Sequence, residues 1–280
     1  MISRTTIYLT ARTEPASAAT DQLEREGYTV VKSVFTPEEV TKLKQEINQV
    51  FDLEEPDERG PDPGAWSMFR YAMLNRSEAC QKAVGNRGIL NVIEPLLGED
   101  CHVIANTAWR NPPTPGDVHG GEYWHIDAGP HIPLEEGTTW PSEIPHPVFA
   151  IGTHIFLQDC RIEDGPTGVI PGSHLSGQHP PMEAAQDDHL EWNGVGVHPL
   201  IAKAGDVAFF VSDIWHRRMP SNADSQGRFF LQVHYGRRDI AQRLQPTQEV
   251  NHLSDEAIRR AETKRDRSLI GLHGRGFYDG

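Results

Sequence analysis

From residue 100 onward the chain is built of short β-branched and aromatic stretches: CHVIANTAW, FAIGTHIFL, GVIPG, VAFFV and RFFLQVHYG. Glycine and proline turn signals separate them. Short strands at such spacing bury their apolar sides only against one another, which points to a β sandwich or barrel. The jelly roll is the commonest way to close such a set into two facing sheets. Long polar segments interrupt the series at 111–122, 129–147 and 176–195, and loops of this length often serve as lids over a site.

The first hundred residues follow a helical pattern instead. Residues 1–16 read as a loose leader. A helix is expected from Thr20, with Asp21 as its cap and Gly27 as its end. A strand is expected over 28–35 (YTVVKSVF). Thr36, Pro37 and Glu39 then make a capping box with proline at the first helical position, and Val40, Leu43, Ile47, Val50 and Phe51 follow at helical spacing. An acidic, Pro- and Gly-rich loop is expected over 52–64, one helix over 78–97, and a charged surface helix over 254–268. The expected organisation is a single domain, 1–280. It comprises a helical region at 20–98, a mainly β jelly-roll core at about 100–238 and an extension at 239–280. The extension could dock on its own core or on a second subunit, so a homodimer is left open.

Composition narrows the function. With 26 Lys and Arg against 40 Asp and Glu the formal charge is −14, the wrong sign for a non-specific nucleic-acid binder. No run reaches the roughly 20 apolar residues of a membrane span. Three cysteines without a CxxC pair argue against a disulfide framework, and the N-terminus does not read as a secretory signal, so a reducing cytoplasm is the expected setting. No GxSxG, HExxH or P-loop string is present.

One constellation carries chemistry. In GGEYWHIDAGPH, His125 and Asp127 stand two apart, so on a strand both project to one face. With 14 histidines in the chain, such a pair taken alone is more often structural. A third ligand must come from elsewhere, and the best candidate is His216, 91 residues later, just after the strand-like DVAFFV. Two histidines and one carboxylate make the facial arrangement of non-haem iron(II) oxygenases, which leaves open positions for a co-substrate and dioxygen. Arg228 follows His216 by 12 residues on the next strand-like run. Its guanidinium can pair bidentately with a carboxylate, and the distal carboxylate of 2-oxoglutarate fits it. Each piece has a bland reading as a satisfied core histidine or a surface charge. The order of HxD, a long gap, His and then Arg is far more specific.

These residues resemble the phytanoyl-CoA dioxygenase family of iron(II)- and 2-oxoglutarate-dependent oxygenases, over about residues 20–238. The opening DQLEREGYTVVKSVFTPEEVTKLKQEI, the central DGPTGVIPGSH and the later KAGDVAFFVSDIWH followed by Arg228 carry the resemblance. It implies a double-stranded β-helix core, His125, Asp127 and His216 as iron ligands, and Arg228 as the 2-oxoglutarate anchor. It also implies Gln158 as a polar co-substrate contact. Trp109, Tyr123, Trp124 and Trp215 flank the ligands as candidate pocket walls, whereas His131 and His154 are left as background. Some family members carry a small polar residue two positions after the second histidine; this chain has Arg218. Halogenating relatives lack the carboxylate, so Asp127 points to oxygenation.

The expected function is oxidation of a small or medium metabolite, with hydroxylation as the outcome, coupled to conversion of 2-oxoglutarate and dioxygen to succinate and carbon dioxide. Two alternatives stay open: a cupin-like metalloenzyme that does not use 2-oxoglutarate, and a non-catalytic jelly-roll binding module.

Overall fold

The computed structural model describes residues 17–53, 68–111, 116, 118–240 and 253–274. The expected leader at 1–16 lies outside them, as do most of the acidic loop at 52–64 and the start of the 111–122 loop.

Helix α1 (Ala18–Glu26) begins two residues before its expected start. Ser17, not Asp21, caps it, because its side chain accepts from the Thr20 amide. Such a cap contributes about 1 kcal/mol. Gly27 ends the helix in the left-handed conformation, φ 80°. A side chain there would meet the imidazole of His174 at 2.6 Å, so close approach as well as φ requires glycine. Strand β1 (Tyr28–Val31) is shorter than expected. Helix α2 (Pro37–Leu53) starts at the predicted capping box: the Glu39 amide donates to Thr36 Oγ1 and the Thr36 amide to Glu39 Oε2.

Strand β2 (Phe69–Tyr71) and helix α3 (Met73–Arg76) follow. The helix expected over 78–97 is two, α4 (Glu78–Val84) and α5 (Arg87–Leu97). The break falls at Gly85-Asn86, where Asn86 caps α5 by accepting from the Gly88 amide. Gly and Asn stop one helix and start the next more readily than they continue either.

Strands β3 (His102–Asn111), β4 (Ala150–Phe156), β5 (Thr167–Val169), β6 (His198–Pro199), β7 (Val207–Val211), β8 (His216–Arg218) and β9 (Arg228–Gly236) complete two antiparallel sheets. The larger runs β1-β7-β4-β9-β3-β2 and the smaller β6-β5-β8. This is the jelly roll expected from the strand pattern. The central strands of the large sheet are covered on both sides. On β9, Phe229, Leu231, Val233 and Tyr235 belong to the main apolar core, and the Tyr235 hydroxyl donates to the Val84 carbonyl of α4. The alternate residues, Arg228, Phe230, Gln232 and His234, face a cavity between the sheets. A second, smaller apolar cluster of Trp124, Ile170, Leu190 and Trp215 backs the small sheet.

The charged surface helix expected over 254–268 is two short helices, α6 (Asp255–Arg260) and α7 (Lys264–Leu269), with Thr263 capping the second. They are not wholly on the surface. Ala257, Leu269 and Ile270 are buried in the main core, and Arg265 donates to Glu94 of α5 and to the Cys101 carbonyl. The described part of the extension therefore docks on its own chain. No helix among the described residues is long and apolar enough to cross a membrane.

Candidate metal and co-substrate site

His125 does not lie on a ladder strand; it forms a single antiparallel bridge with His216. The two residues exchange both backbone bonds, His125 N to His216 O at 2.9 Å and the reverse at 3.0 Å. A pair so bonded stands about 5.5 Å apart at Cα, so the imidazoles are side by side, their centroids 4.4 Å apart. The Asp127 amide donates to the Ser212 carbonyl, which ties the segment to the chain just after β7. Ligand atoms of His125, Asp127 and His216 all lie within 4.8 Å of one another. The HxD pair and the distant histidine thus converge, as their spacing suggested.

The donor set suits a divalent metal. Nδ1 of His125 is 2.8 Å from the Tyr123 carbonyl, and Nδ1 of His216 is 3.0 Å from that of Ile214. Each ring donates backward from Nδ1 and leaves the Nε2 lone pair for a metal, the usual support of a ligating imidazole. Burial, then the neighbouring His216, keeps the His125 pKa below its ordinary value, so this ring is neutral at pH 7. Burial alone would raise the Asp127 pKa; His216 and then His234 outweigh it and hold the carboxyl well below the usual range. Burial alone would lower that of His216, and Asp127 reverses the sign. Metal binding would therefore compete with protonation of the His216–Asp127 pair.

A hydrogen-bonded row leads to the carboxylate from the other sheet. The Trp109 indole N–H, which can only donate, donates to Gln232 Oε1 at 2.7 Å. The Gln232 amide nitrogen is then the donor to His234 Nε2, 2.8 Å away. That fixes the remaining proton on His234 Nδ1, which faces Asp127 Oδ2 at 3.6 Å, while His216 Nε2 faces Oδ1 at 3.5 Å.

The cavity has a volume of about 290 Å³. Arg228, 6 % exposed, reaches into it, and its Nε has no hydrogen-bond partner. Arg218 and Asn106 line it too, with buried polar atoms equally unmatched. Protein interiors rarely leave such groups unsatisfied, so these atoms are available to a polar ligand.

Other expectations fall differently. Gln158 does not line the cavity: its amide donates to the carbonyls of Gln226 and Gly227, at 2.8 and 3.1 Å, bracing the turn that leads into Arg228. Trp109 is a cavity wall, Trp124 and Trp215 pack in the small core, and Tyr123 is exposed. His131 pairs with Asp213 at 2.8 Å, outside the cavity. His154 lines it, and burial, then Arg228, pushes its pKa well below the ordinary value. The sequence reading passed over Asn106, Gln232 and His234. For the last two a signal existed, since period-2 alternation puts them on one face with Arg228.

The family model for phytanoyl-CoA dioxygenase (PhyH) matches residues 23–224. An ectoine dioxygenase of Bordetella bronchiseptica is 24% identical over 216 residues, 69% of this chain and 66% of that protein. One of Stutzerimonas stutzeri is 25% identical over 167 residues, 57% of this chain and 50% of that protein. The chain thus aligns with under two thirds of the length of these relatives. Two solved structures share the fold. The epimerase SnoN from nogalamycin biosynthesis, in complex with Fe3+, alpha ketoglutarate and nogalamycin RO, superposes with a TM-score of 0.57 at 18% identity, over 78% of this chain and 82% of its own. HygX from Streptomyces hygroscopicus, with nickel, 2-oxoglutarate and hygromycin B bound, gives 0.59 at 15% identity, over 81% and 89%. With the family model matching most of its length, the chain belongs to the phytanoyl-CoA dioxygenase family.

Proposed function

We propose that the protein is an iron(II)- and 2-oxoglutarate-dependent dioxygenase that hydroxylates a small or medium organic metabolite, releasing succinate and carbon dioxide. The observation that carries this reading is the convergence of His125, Asp127 and His216 beside a buried Arg228 in one cavity. Relatives and neighbours named as dioxygenases or holding iron and 2-oxoglutarate support it.

In this reading the Nε2 atoms of His125 and His216 and the carboxylate of Asp127 hold the iron. When bound, iron(II) supplies open coordination positions and the redox chemistry that couples reduction of dioxygen to decarboxylation of 2-oxoglutarate. The protein supplies geometry. Arg228 binds the distal carboxylate and orients the keto acid toward the metal. His154 stays neutral beside Arg228 and adds no competing charge. Phe230 and Trp109 form an apolar wall that keeps water from the reacting centre. The substrate enters the remaining space, and its class is settled by a screen of succinate release over a metabolite panel.

Adding 2-oxoglutarate to the anaerobic iron(II) protein is expected to produce a weak visible charge-transfer band. No band would favour a cupin-like enzyme independent of 2-oxoglutarate. A band without oxygen-dependent succinate release for any substrate would favour a binding module.

A further inference from the structure

Arg218 has no role in the reading above, yet it is 3 % exposed and lines the same cavity. Its Nε and Nη2 are buried without a hydrogen-bond partner, and Glu122, the cavity-lining acid whose charge acts on it, makes no hydrogen bond to its side chain among the described residues. The adjacent Arg217 also borders the cavity and its Nε is likewise unmatched, but its charge is met by neighbours. It pairs with Asp188, donates to the Glu122 carbonyl and stacks over Trp124 at 5.1 Å. Arg218 has no such arrangement.

Its direction is set by the strand. In β8, His216 opposes Val169 and Arg218 opposes Thr167 on β5. Residues two apart on a strand share a face, so Arg218 points into the cavity with His216, about 7 Å further along. Arg228 enters the same cavity from β9 of the opposite sheet, with its own Nε unmatched. Two buried guanidinium groups of like charge with unmet donors are unfavourable without an anion. They become favourable when one with several acceptor oxygens arrives.

We propose that Arg218 is a second guanidinium for the distal carboxylate of the 2-oxo dicarboxylic acid, which is gripped between Arg218 from the small sheet and Arg228 from the large one. The inference rests on the co-substrate reading above and deepens it, because it makes this end of the cavity selective for a dicarboxylate.

The test measures dissociation constants on the anaerobic iron(II) protein, by titrating the visible band and by calorimetry. The probes are 2-oxoglutarate and 2-oxopentanoate, which shares the chelating end and chain length but lacks the distal carboxylate. In the wild type, 2-oxoglutarate is expected to bind at least about 100-fold more tightly, given two charge-assisted contacts. In Arg218→Gln its binding should weaken about 10- to 100-fold, while that of 2-oxopentanoate changes less than about twofold. The ligand-free variant should melt no lower than the wild type, because an unpaired buried charge has been removed; a structural prop would show the reverse. Arg218→Gln that binds 2-oxoglutarate as tightly as the wild type overturns the inference and leaves the co-substrate reading standing. A wild type that binds neither probe overturns that reading, and the inference with it.

Discussion

The row Trp109–Gln232–His234–Asp127 makes a prediction that two substitutions separate. His234 does two things with two nitrogens: Nε2 accepts from Gln232 at 2.8 Å, and Nδ1–H faces Asp127 Oδ2 at 3.6 Å. Glutamine places its amide oxygen near the Nε2 position and asparagine places its amide nitrogen near Nδ1. His234→Gln therefore keeps the acceptor for Gln232 and removes the positive edge beside the carboxylate. His234→Asn does the opposite. Groups that orient a metal ligand are typically worth 10- to 100-fold in metal affinity. At 3.6 Å the contact is longer than a hydrogen bond, so the lower end applies. His234→Gln should lose about 10-fold in iron(II) or manganese(II) affinity, about 1.4 kcal/mol, with little change in melting temperature. His234→Asn should keep the affinity within about threefold, but it leaves the Gln232 amide unmatched at a cost of about 1–3 kcal/mol. That corresponds to a melting point lower by several degrees. Anaerobic calorimetry with the metal and thermal unfolding of the metal-free protein read the two effects independently. If both variants bind metal as the wild type does, His234 does not position the carboxylate and the deduced proton arrangement is wrong.

Asp127→Ala is expected to abolish metal-dependent succinate formation and to leave the far-ultraviolet circular dichroism unchanged; turnover by this variant would sink the ligand assignment. Arg228→Ala should weaken 2-oxoglutarate about 10- to 100-fold, the worth of hydrogen bonds to a charged group, and hardly alter metal affinity; calorimetry with each ligand separates the two. His174 predicts a pH effect on folding. Burial, then His146, holds its folded pKa at about 3, while the unfolded chain protonates near about 6.5. Between those values the unfolded state binds the extra proton, so stability falls as pH falls, by on the order of 2 kcal/mol at pH 5. The Nε2 atom lies 3.1 Å from the Glu24 carbonyl and Nδ1 has no partner. His174→Gln can keep the first bond without taking the proton, so urea unfolding at pH 7.5 and 5 should show a flatter dependence; equal slopes would refute the cause. Chelation of the metal should leave the protein folded and lower its stability only by the binding contribution, about 2.7 kcal/mol where free metal was 100 times its Kd. A loss of secondary structure on chelation would contradict this.

The parts of this site that were legible in the sequence are those whose geometry is local. His125 and Asp127 share a face because any extended segment has period 2, even though the segment holds only one bridge to its neighbour. The capping box at Thr36 is local in the same way and formed as read. What was not legible depends on partners far along the chain. Gln158 sits near the right strand end, but the nearest acceptors for its amide are the carbonyls at 226 and 227. No sequence pattern distinguishes that use from a ligand contact. The acidic and basic run after 254 looks like a solvated face, yet Arg265 finds Glu94 and the Cys101 carbonyl, about 160 residues upstream or more. Composition there was correct and packing decided otherwise.

Strand β9 shows why a polar residue inside such a fold is informative once its face is known. Its sequence, RFFLQVHYG, interleaves two rows. Phe229, Leu231, Val233 and Tyr235 pack in the main core, where a charge would be costly. Arg228, Phe230, Gln232 and His234 look inward, toward the small sheet, three of the four of them polar. Had that inner face been ordinary core, it would be apolar, as the outer row is, because the space between jelly-roll sheets is otherwise filled by side chains. The polar row therefore pre-empts packing in favour of ligands. Its order along the strand matches the proposed chemistry, with His234 beside Asp127 and Arg228 six residues away. The small sheet repeats the order in miniature, with His216 beside Asp127 and Arg218 two residues on. In the proposed reading, two strands from opposite sheets each carry a metal-end histidine and an anion-end arginine, a polarity that would orient a dicarboxylic keto acid one way round.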